Sequence, residues 1–524
     1  MAAVTDDDNR ATALRTAMVD RIEHGFPHLT APTLQVVRRV PRHAFVPEVD
    51  LATAYIDDAV VTRRDESGRS LSSISQPSMV AQMLDMLDLA PGHRVLEIGA
   101  GTGYCAALLA ELVGPTGQVT TIDIDPDVTD EAHRHLDANG YSRVTVTCAD
   151  GALGDANGAP WDRILVSVGA WEPAPEWIAQ LAPGGRLVMP LALGRIQRIL
   201  SFEATAYGLR SRQVLAGGFL AQRGRDAGPR STAAVGEELQ FEAAGELPLV
   251  PADIAEMLAA EPVRIWTGVG LAYPSPYDGL LVYLTVHHPG MFTLAAPRTY
   301  LPDALRAWGL VYGIAHDGAV AHLSLRPTNP GDPETSHEVG VFAYGPGAAG
   351  LAARIADDAR AWQHLSHADP VFEVYPKDAR IEAEGAGAVV LDKQHSRIRV
   401  SWDADPDAIE MHLLDEPFEL ILNGAKTIEV RSADRKRQAL RAGDRIRFTC
   451  GDRTLAVRVI DVRRYDSFES LYETEDADRI NPCRSIAAQL AGIDALYGPE
   501  KRSLGAVAIE LRLLDDPDGP HSTA

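Results

Sequence analysis

Residues 95–104 read VLEIGAGTGY, and this stretch decides the fold class of the chain. An apolar run typical of a buried strand leads into Gly99, Gly101 and Gly103, and the CAALLAELVG that follows is typical of a helix. Glycine lets the backbone turn tightly and approach a ligand closely. The pattern predicts a strand, a glycine turn and a helix. A ligand site and a simple tight turn both remain open interpretations of the glycines.

Short apolar runs alternate with helical stretches on both sides of this turn, from about residue 70 to residue 200. The runs are RVLEIG, QVTTIDID, RVTVTCAD, DRILVSVG and RLVMPL. Strands that alternate with helices form parallel, doubly wound sheets. The sequence therefore predicts an α/β fold with a Rossmann-like sheet. The segment 221–238, AQRGRDAGPRSTAAVGEE, has no apolar periodicity and is interpreted as a linker.

Acidic residues stand at the ends of three of these predicted strands. Glu97 precedes the glycine turn, Asp123 ends the next strand about twenty residues later, and Asp150 with Gly151 ends the third. A carboxylate at the position of Asp123 takes both hydroxyls of a ribose, and Asp150 is placed to meet an adenine edge. The pattern predicts an S-adenosylmethionine pocket. The predicted cofactor-binding residues are Glu97, Gly99, Ala100, Gly101, Thr102, Gly103, Asp123, Ile124, Asp150 and Gly151.

Other interpretations of these residues stay open. Asp123 also suits a helix N-cap, and Glu97 suits a buried, hydrogen-bonded carboxylate that shapes the loop. A nicotinamide-dependent dehydrogenase is disfavoured, because its usual glycine pattern is G-x-G-x-x-G and no accompanying base is found.

Composition narrows the classes of partner. The 524 residues include 49 Lys and Arg against 73 Asp and Glu, a formal net charge of -24, which favours a basic peptide partner over bulk nucleic acid. The four cysteines are far apart, and the neighbouring His287 and His288 have no companion ligand, so no metal site is predicted. The acidic N-terminus and the lack of a long apolar run predict a cytoplasmic protein with no membrane span.

The glycine stretch lies within a longer family resemblance. The run SISQPSMVAQMLDMLDLAPGHRVLEIGAGTGYCAALLAEL, with VRRVPRHAFVP and AYIDDAV upstream, resembles the protein-L-isoaspartate O-methyltransferases, and the likeness extends over about residues 10 to 220. The resemblance implies S-adenosylmethionine as cofactor, S-adenosylhomocysteine as product and a peptide or protein carboxylate as methyl acceptor. The I-S-x-P hallmark of the family is matched by Ile74, Ser75, Gln76 and Pro77, which are the predicted substrate-binding residues.

The resemblance places the catalytic role on Ser75, beside the substrate carboxylate and the transferring methyl group. The local sequence also suits Ser75 as a helix N-cap. The chain departs from the family in two places, the polar insertion TRRDESGRSLSS and the segment GGFLAQRG, which only partly matches an apolar FVP-like strand. We therefore expect an altered substrate mouth.

The rest of the chain resembles two further modules. Residues 240–403 resemble the C-terminal extension of actinobacterial methyltransferases that convert an aspartate of a ribosomally made precursor peptide, of the lanthipeptide or graspetide type, to aspartimide or isoaspartate. The resemblance implies that this α+β extension grips the peptide, although a lid or dimerisation module is the alternative. Residues 409–514 resemble the ASCH domain, a small β-barrel related to RNA-binding PUA domains, in which Lys426 and Arg431 line a cleft for an anion or nucleotide.

The predicted domains are a catalytic domain at 1–225, the extension at 240–403, the ASCH domain at 409–514 and a disordered tail at 515–524. The first functional hypothesis is an enzyme that methylates an aspartate of a basic precursor peptide, whose ester closes to an aspartimide. The second is general isoaspartate repair of damaged proteins. The third, from another class, is an RNA-binding or RNA-modifying protein dominated by the ASCH domain, which could instead contact a leader peptide.

Overall fold

A computed structural model describes most of the chain. The described residues are 6–236, 239–246, 249–272, 278–295, 310–328, 336–365, 369–385, 387–402, 409–434, 437, 440–441, 444–451 and 453–513. The chain divides into two compact units, of which the first joins Met1–Trp362 with Phe372–Ser401, and the second joins Gln363–Val371 with Trp402–Ala524. The predicted disordered tail lies outside the described residues. No helix in the described part of the chain is long and apolar enough to cross a membrane.

The first unit opens with helices and a hairpin. These elements are α1 (Asp6–Gly25), α2 (Ala31–Arg39), α3 (Leu51–Ala54), β1 (Val60–Arg64), β2 (Ser70–Ile74) and α4 (Pro77–Leu87). The polar insertion forms the β1–β2 hairpin, whose turn is closed by Asp65 accepting from the backbone of Ser67 at 3.0 Å and of Arg69 at 2.9 Å. Helix α4 begins at Pro77, where a missing N–H costs nothing.

The predicted doubly wound sheet is confirmed. Its elements are β3 (Arg94–Ile98), α5 (Tyr104–Val113), β4 (Gln118–Asp123), α6 (Pro126–Ala138), β5 (Thr145–Cys148), β6 (Trp161–Val166), α7 (Pro175–Gln180) and β7 (Leu181–Leu193). Strand β3 lies between β4 and β6, and these pairs, together with β4–β5 and β6–β7, are parallel. The carboxyl ends of β3, β4 and β6 therefore meet at one edge of the sheet.

The following segment contributes a second sheet. Its elements are β8 (Ile196–Thr205), β9 (Gly208–Ala216), β10 (Ser231–Val235), β11 (Leu239–Ala243), α8 (Pro251–Leu258), β12 (Val263–Ala272), α9 (Asp278–His287), β13 (Met291–Ala295), β14 (Leu310–His316), β15 (Ala319–Pro327), β16 (Ser336–Tyr344) and α10 (Ala348–His364). Strands β8 and β9 continue the catalytic sheet antiparallel to β7, whereas β10–β16 form a separate seven-stranded sheet.

Three further strands return to the catalytic sheet. They are β17 (Val371–Pro376), β18 (Val389–Asp392) and β19 (Ser396–Ser401), and they complete a ten-stranded sheet in the order β18-β19-β17-β9-β8-β7-β6-β3-β4-β5. The segment predicted as an α+β extension thus contributes both a sheet of its own and three strands of the catalytic sheet. The predicted domain boundaries stay predictions.

The second unit is a smaller α/β module. Its elements are β20 (Ile409–His412), α11 (Asp415–Leu422), β21 (Ile428–Ser432), β22 (Arg445–Cys450), β23 (Arg453–Tyr465), α12 (Phe468–Thr474), α13 (Ala477–Ile480), α14 (Ile486–Leu496), α15 (Pro499–Arg502) and β24 (Ala506–Leu513). The strands form one mixed sheet in the order β20-β22-β23-β24-β21, consistent with the small barrel-like domain predicted from the sequence. Phe448, Val457 and Ile509 are fully buried in its core.

Candidate active site

A cavity of about 470 Å³ lies at the carboxyl ends of β3, β4 and β6. Its size is that of a site for a cofactor-sized molecule. Open α/β sheets bind their ligands at this edge. The lining residues are Asp58, Ala59, Val61, Leu71–Gln76, Met79, Val80, Met83, Glu97–Thr102, Tyr104, Cys105, Ile122–Ile124, Gly151, Leu165, Ser167, Val168 and Gly217–Arg223.

The glycine turn forms the floor of this cavity. Gly99 and Gly101 have φ angles of 99° and 50°, in the region that glycine adopts without strain. A Cβ atom on Gly101 would lie 3.4 Å from the carbonyl oxygen of Ser73. Gly103 is the N-cap of α5 and lies outside the cavity lining, where a Cβ would crowd the carbonyl oxygen of Ala132 at 3.1 Å. Gly103 therefore serves helix packing.

Glu97 is a fully buried carboxylate at the base of the cavity. The Thr121 hydroxyl donates to its Oε2 at 2.7 Å, and the Ser167 hydroxyl lies 3.4 Å from Oε1. Burial is the main cause that raises the pKa of Glu97 to about 7. Among the described residues no Lys or Arg side chain forms an ion pair with Glu97. A buried carboxylate without a cation is suited to a positively charged ligand group.

Asp123 ends β4 and lines the cavity beside Gly101. Its Oδ2 accepts from the backbone of Gly101 at 3.2 Å, and its Oδ1 accepts from Asp125 at 3.3 Å. Burial raises the pKa of Asp123. The N-cap of α6 is Asp125, so the alternative role of Asp123 as the cap does not apply. Each carboxylate oxygen retains a lone pair for a hydroxyl group.

Asp150 accepts hydrogen bonds from two main-chain groups, and its predicted contact with adenine stays a prediction. Its Oδ1 accepts from the backbone of Ala152 at 3.0 Å, and its Oδ2 accepts from the backbone of Arg225 at 2.7 Å. Asp150 is not among the residues that line the cavity, although Gly151 is. Asp150 therefore holds two backbone segments together in this structure.

The I-S-x-P segment forms one wall. Ile74, Ser75 and Gln76 line the cavity, whereas Pro77 begins α4 outside the lining. The N-cap of α4 is Gln76 and not Ser75, so Ser75 is not the helix cap that the local sequence also allowed. The backbone of Ser78 instead donates to Asp57 at 2.9 Å.

Two residues that sequence reasoning missed support this wall. Arg42 is fully buried and donates to the carbonyl oxygens of Ala54 at 2.9 Å and Ile74 at 3.5 Å. Asp57 accepts from the Gln76 side chain at 3.4 Å. Both lie in the upstream stretches VRRVPRHAFVP and AYIDDAV, whose family likeness was the available signal.

Residues 217–226, here called the strap, contribute Gly217–Arg223 to the cavity lining. The guanidinium of Arg223 pairs with both carboxylate oxygens of Asp125, one of them at 3.1 Å, and Arg225 pairs with Glu176 at 2.7 Å. The predicted linker began at residue 221, yet residues 221–223 line the cavity. That interpretation was wrong for these residues because ion pairs and backbone bonds, which leave no apolar pattern, hold them in place.

The loop after β6 is held by the hairpin of β18 and β19. Glu172 is 4% exposed and accepts from the Ser396 hydroxyl at 2.6 Å and from the His395 backbone at 3.1 Å. The ammonium of Lys393 lies 3.1 Å from the ring centroid of Trp171. Burial lowers the pKa of Lys393 to about 7. The hairpin thus contacts Trp171 and Glu172, which follow Val168 of the cavity lining by three and four residues.

Two regions of the chain match known protein families. Residues 16–218 match the family described as protein-L-isoaspartate(D-aspartate) O-methyltransferase (PCMT), and residues 411–515 match the ASCH domain. The protein-L-isoaspartate O-methyltransferase of Methanopyrus kandleri is 38% identical over 206 residues, which are 39% of this chain and 88% of that protein. The protein of the same name from Methanosarcina mazei is 40% identical over 186 residues, or 36% of this chain and 73% of that protein.

Solved structures with the same name were also found. One protein-L-isoaspartate O-methyltransferase structure covers 67% of this chain and 92% of its own, at 22% identity and a TM-score of 0.38. A putative enzyme of this kind from Plasmodium falciparum, in complex with S-adenosyl-L-homocysteine, covers 40% of this chain and 98% of its own, at 17% identity and a TM-score of 0.35. On the sequence relationships, this chain belongs to the family of protein-L-isoaspartate O-methyltransferases, which are S-adenosylmethionine-dependent carboxyl methyltransferases, and it carries an ASCH domain after its catalytic unit.

Proposed function

We propose that this enzyme methylates an aspartate side chain of a ribosomally made precursor peptide, and that the ester then closes to an aspartimide, which can hydrolyse to isoaspartate. The observation that carries the proposal is the hairpin of β18 and β19, which is built into the catalytic sheet and fixes the loop after β6 through Glu172. An extension joined in this way to the cavity wall is suited to shaping the substrate site.

The cavity residues fit the family cofactor. Glu97 offers a buried negative charge to a cationic ligand, Asp123 offers oxygens to ribose hydroxyls, and the glycine turn permits close approach. When bound, S-adenosylmethionine supplies a methyl group on a positively charged sulfur. We assign Glu97, Asp123 and the glycine turn to holding this cofactor, with Gly151 at its adenine end.

The acceptor needs positioning more than activation. A carboxylate with a pKa near 4 is already ionised at neutral pH, so no strong base is required. The rate then depends on holding one carboxylate oxygen in line with the methyl group. We assign this task to the Ser75 hydroxyl as hydrogen-bond donor. Arg42, which binds the Ile74 carbonyl, keeps the main chain of this wall in place.

The later steps need no further group from the protein. A methyl ester makes the aspartyl carbonyl more reactive, so the backbone nitrogen of the next residue attacks it and forms a five-membered aspartimide. The nitrogen loses its proton and methanol leaves. Addition of water opens the ring to aspartate or isoaspartate.

The charge of the chain also supports a basic peptide substrate. A formal net charge of -24 attracts cationic partners and speeds their encounter. General repair of damaged proteins is the alternative within the same chemistry, and it predicts that a neutral isoaspartyl peptide is the best substrate.

RNA binding by the ASCH domain is the alternative from another class. In the described structure the Lys426 ammonium lies 3.1 Å from Glu429, and the Arg431 guanidinium lies 2.7 Å from the same carboxylate. Both cations proposed for an anion cleft are thus paired internally. This pairing disfavours, within the ASCH domain, the nucleotide role of these two residues.

Mass spectrometry tests the proposal. The enzyme is incubated with S-adenosylmethionine and either an isoaspartyl peptide or an unmodified Lys-rich peptide that contains Asp-Gly. The proposal predicts that the ordinary aspartate gains a methyl group and then loses methanol, so that the peptide ends one water lighter. Methylation confined to the isoaspartyl peptide would establish repair instead.

A further inference from the structure

Three side chains outside the cavity form a cluster of the kind that binds a metal ion. A ring nitrogen of His135 and one carboxylate oxygen from each of Glu48 and Glu131 all lie within 4.8 Å of one another. None of the three residues lines the cavity. Glu131 and His135 are four residues apart on α6 and therefore share one face of this helix. Glu48 comes from the segment between α2 and α3, so no sequence spacing indicates the cluster.

His135 distinguishes this cluster from an ordinary group of surface carboxylates. The residue is only 8% exposed, and its Nδ1 lies 3.1 Å from the carbonyl oxygen of Thr102. A carbonyl oxygen only accepts, so Nδ1 carries the proton of this hydrogen bond and Nε2 of the neutral ring carries a lone pair. Histidines that ligate metals are held in this way, with the other ring N–H bound to a carbonyl or carboxylate.

The Nε2 atom of His135 is available to a ligand. It forms no hydrogen bond or ion pair with any residue that the structure describes. It is also not one of the fully enclosed polar atoms that lack a partner, so it keeps accessible surface. Polar groups of buried side chains nearly always have a partner. An open lone pair on a buried ring, facing two carboxylates, therefore points to a cation.

Both carboxylates can give an oxygen to this cation. Glu48 is exposed and forms no hydrogen bond or ion pair in the described part of the chain. Glu131 accepts from Arg63 at 3.3 Å through Oε2, which leaves Oε1 for a second partner. Arg63 also pairs with Asp127 at 3.0 Å, so its charge stays neutralised when Glu131 binds a metal. Three carboxylates against one guanidinium leave an excess of negative charge.

An imidazole nitrogen with two carboxylate oxygens is a donor set for zinc. Zn²⁺ binds such atoms at about 2.0–2.2 Å, and its sites with three protein ligands keep a fourth position for water. Two ligand atoms of one zinc ion are then about 3–4 Å apart. A small rotation of the exposed Glu48 side chain brings the cluster to this spacing. Mg²⁺ and Ca²⁺ prefer oxygen ligands alone, so the imidazole disfavours them.

We infer that Glu48, Glu131 and His135 bind a zinc ion that anchors the glycine turn of the cofactor site. A metal on Nε2 draws electron density from the ring, so Nδ1–H becomes a stronger donor to the Thr102 carbonyl. Thr102 belongs to the turn and lines the cavity. The ion thus joins the segment before α3, helix α6 and the turn, and it takes no part in methyl transfer itself.

Zinc titration of the full chain tests this site. The protein is treated with a chelator and dialysed, and Zn²⁺ binding is followed by calorimetry and by melting temperature. The variants are Glu48→Gln, His135→Asn, whose amide can still donate to Thr102, and the control Asp130→Asn, an exposed carboxylate of α6 outside the cluster. The chain contains 16 His and 4 Cys, so differences between variants, and not total zinc uptake, decide the result.

Wild-type enzyme and Asp130→Asn should bind one equivalent of zinc for which Glu48→Gln and His135→Asn have at least about tenfold lower affinity. Zinc should raise the melting temperature of the first pair and not of the second. In wild-type enzyme zinc should also increase the affinity for S-adenosylhomocysteine about fivefold or more, and Glu48→Gln should abolish this increase. Because Glu48 is exposed, its variant should fold as wild-type enzyme does.

Equal zinc affinity and stoichiometry in all four proteins would overturn the site, as would an absence of zinc binding or displacement of zinc by an equal concentration of Mg²⁺. Zinc binding that both cluster variants lose, but that leaves the affinity of wild-type enzyme for S-adenosylhomocysteine unchanged, would overturn the anchoring role. None of these measurements uses a peptide, so their outcome is independent of the proposed substrate.

Discussion

At the residue scale, the site depends on carboxylates and hydroxyls held in unlike environments. Glu97 is enclosed by Thr121 and Ser167 and has a raised pKa, whereas the carboxylate of the substrate must arrive ionised. Ser75 is an uncharged residue of the cavity lining, for which we propose the role of hydrogen-bond donor to the substrate carboxylate. We propose that charge at Glu97 and neutral hydrogen bonding at Ser75 distinguish the cofactor end of the cavity from the acceptor end.

Replacing Ser75 by Ala tests the acceptor end. A hydrogen bond to a charged group contributes about 1.5–3 kcal/mol, so the substitution should lower the methylation rate about tenfold to a hundredfold. Cofactor affinity should not change. Ser70→Ala, on strand β2 that precedes Ser75 and outside the cavity, is the matched control. Equal activity of the Ser75 variant and wild-type enzyme would remove this residue from the site.

The pKa of Glu97 predicts how cofactor binding depends on pH. A positive ligand group beside Glu97 favours its ionised form, so binding lowers the raised pKa and releases a proton. Affinity should therefore be constant above about pH 7 and fall by up to about tenfold per pH unit below it. Calorimetry in buffers of different ionisation enthalpy measures the released proton.

Glu97→Gln is the control for this titration. The glutamine cannot ionise, so the variant should bind the cofactor more weakly than wild-type enzyme above about pH 7. Its cofactor affinity should change little with pH on either side of this value. Asp123 lies nearby and also has a raised pKa, so the difference between wild-type enzyme and the variant isolates Glu97. Wild-type affinity that is independent of pH, with no proton release, would contradict the assignment.

At the scale of elements, sequence patterns predicted the features that depend on residues close together in the chain. The turn after β3 could be found because its positive φ angles require glycine, and Asp123 because its position follows from the end of β4. The hydrogen bond that Asp150 accepts from the backbone of Arg225 could not be predicted, since Arg225 lies far along the chain.

The position of the β18–β19 hairpin also depends on contacts between residues that are distant in sequence, so it could not be predicted. Strand β17, which precedes it, joins β9 through the pairs Glu373 with Arg210 and Val374 with Leu209. Such pairing depends on two strands that are distant in sequence and carries no local periodicity. The extension was recognised as an α+β segment, but its entry into the catalytic sheet and its hold on Glu172 appeared only in the structure.

Ser396→Ala tests the hairpin's hold on the cavity wall. The change leaves the buried Glu172 carboxylate without a 2.6 Å hydrogen bond, so the free energy of unfolding should fall by about 1.5–3 kcal/mol. Urea denaturation followed by tryptophan fluorescence measures this loss. Thr232→Ala, which removes an exposed hydroxyl from β10, should change stability little. Equal stabilities of the two variants would show that the contact contributes little.

At the scale of the whole molecule, the acidic excess sets how partners approach. A net charge of -24 should steer a Lys-rich peptide toward the enzyme, and dissolved salt screens such attraction. We expect kcat/KM for a Lys-rich aspartyl peptide to fall several-fold as ionic strength rises from low to physiological values. A neutral peptide of the same length is the control and should show little change. Parallel salt dependences for both peptides would exclude charge steering.

The ASCH domain belongs to the second unit, and every residue that lines the cavity belongs to the first. The lining of the candidate active site therefore belongs to the first unit. Lys426, Glu429 and Arg431 form a paired set within the ASCH domain. From the sequence, Lys426 and Arg431 suggested a cleft for a nucleotide. In the structure both cations are paired with Glu429.

The most direct measurement is the structure of the full chain with S-adenosylhomocysteine and an aspartyl peptide bound. We expect the ribose hydroxyls on Asp123, the amino group of the cofactor near Glu97, and the peptide carboxylate between the Ser75 hydroxyl and the cofactor sulfur. A peptide bound away from Ser75, or a ribose away from Asp123, would show that this cavity does not bring cofactor and aspartate together as proposed.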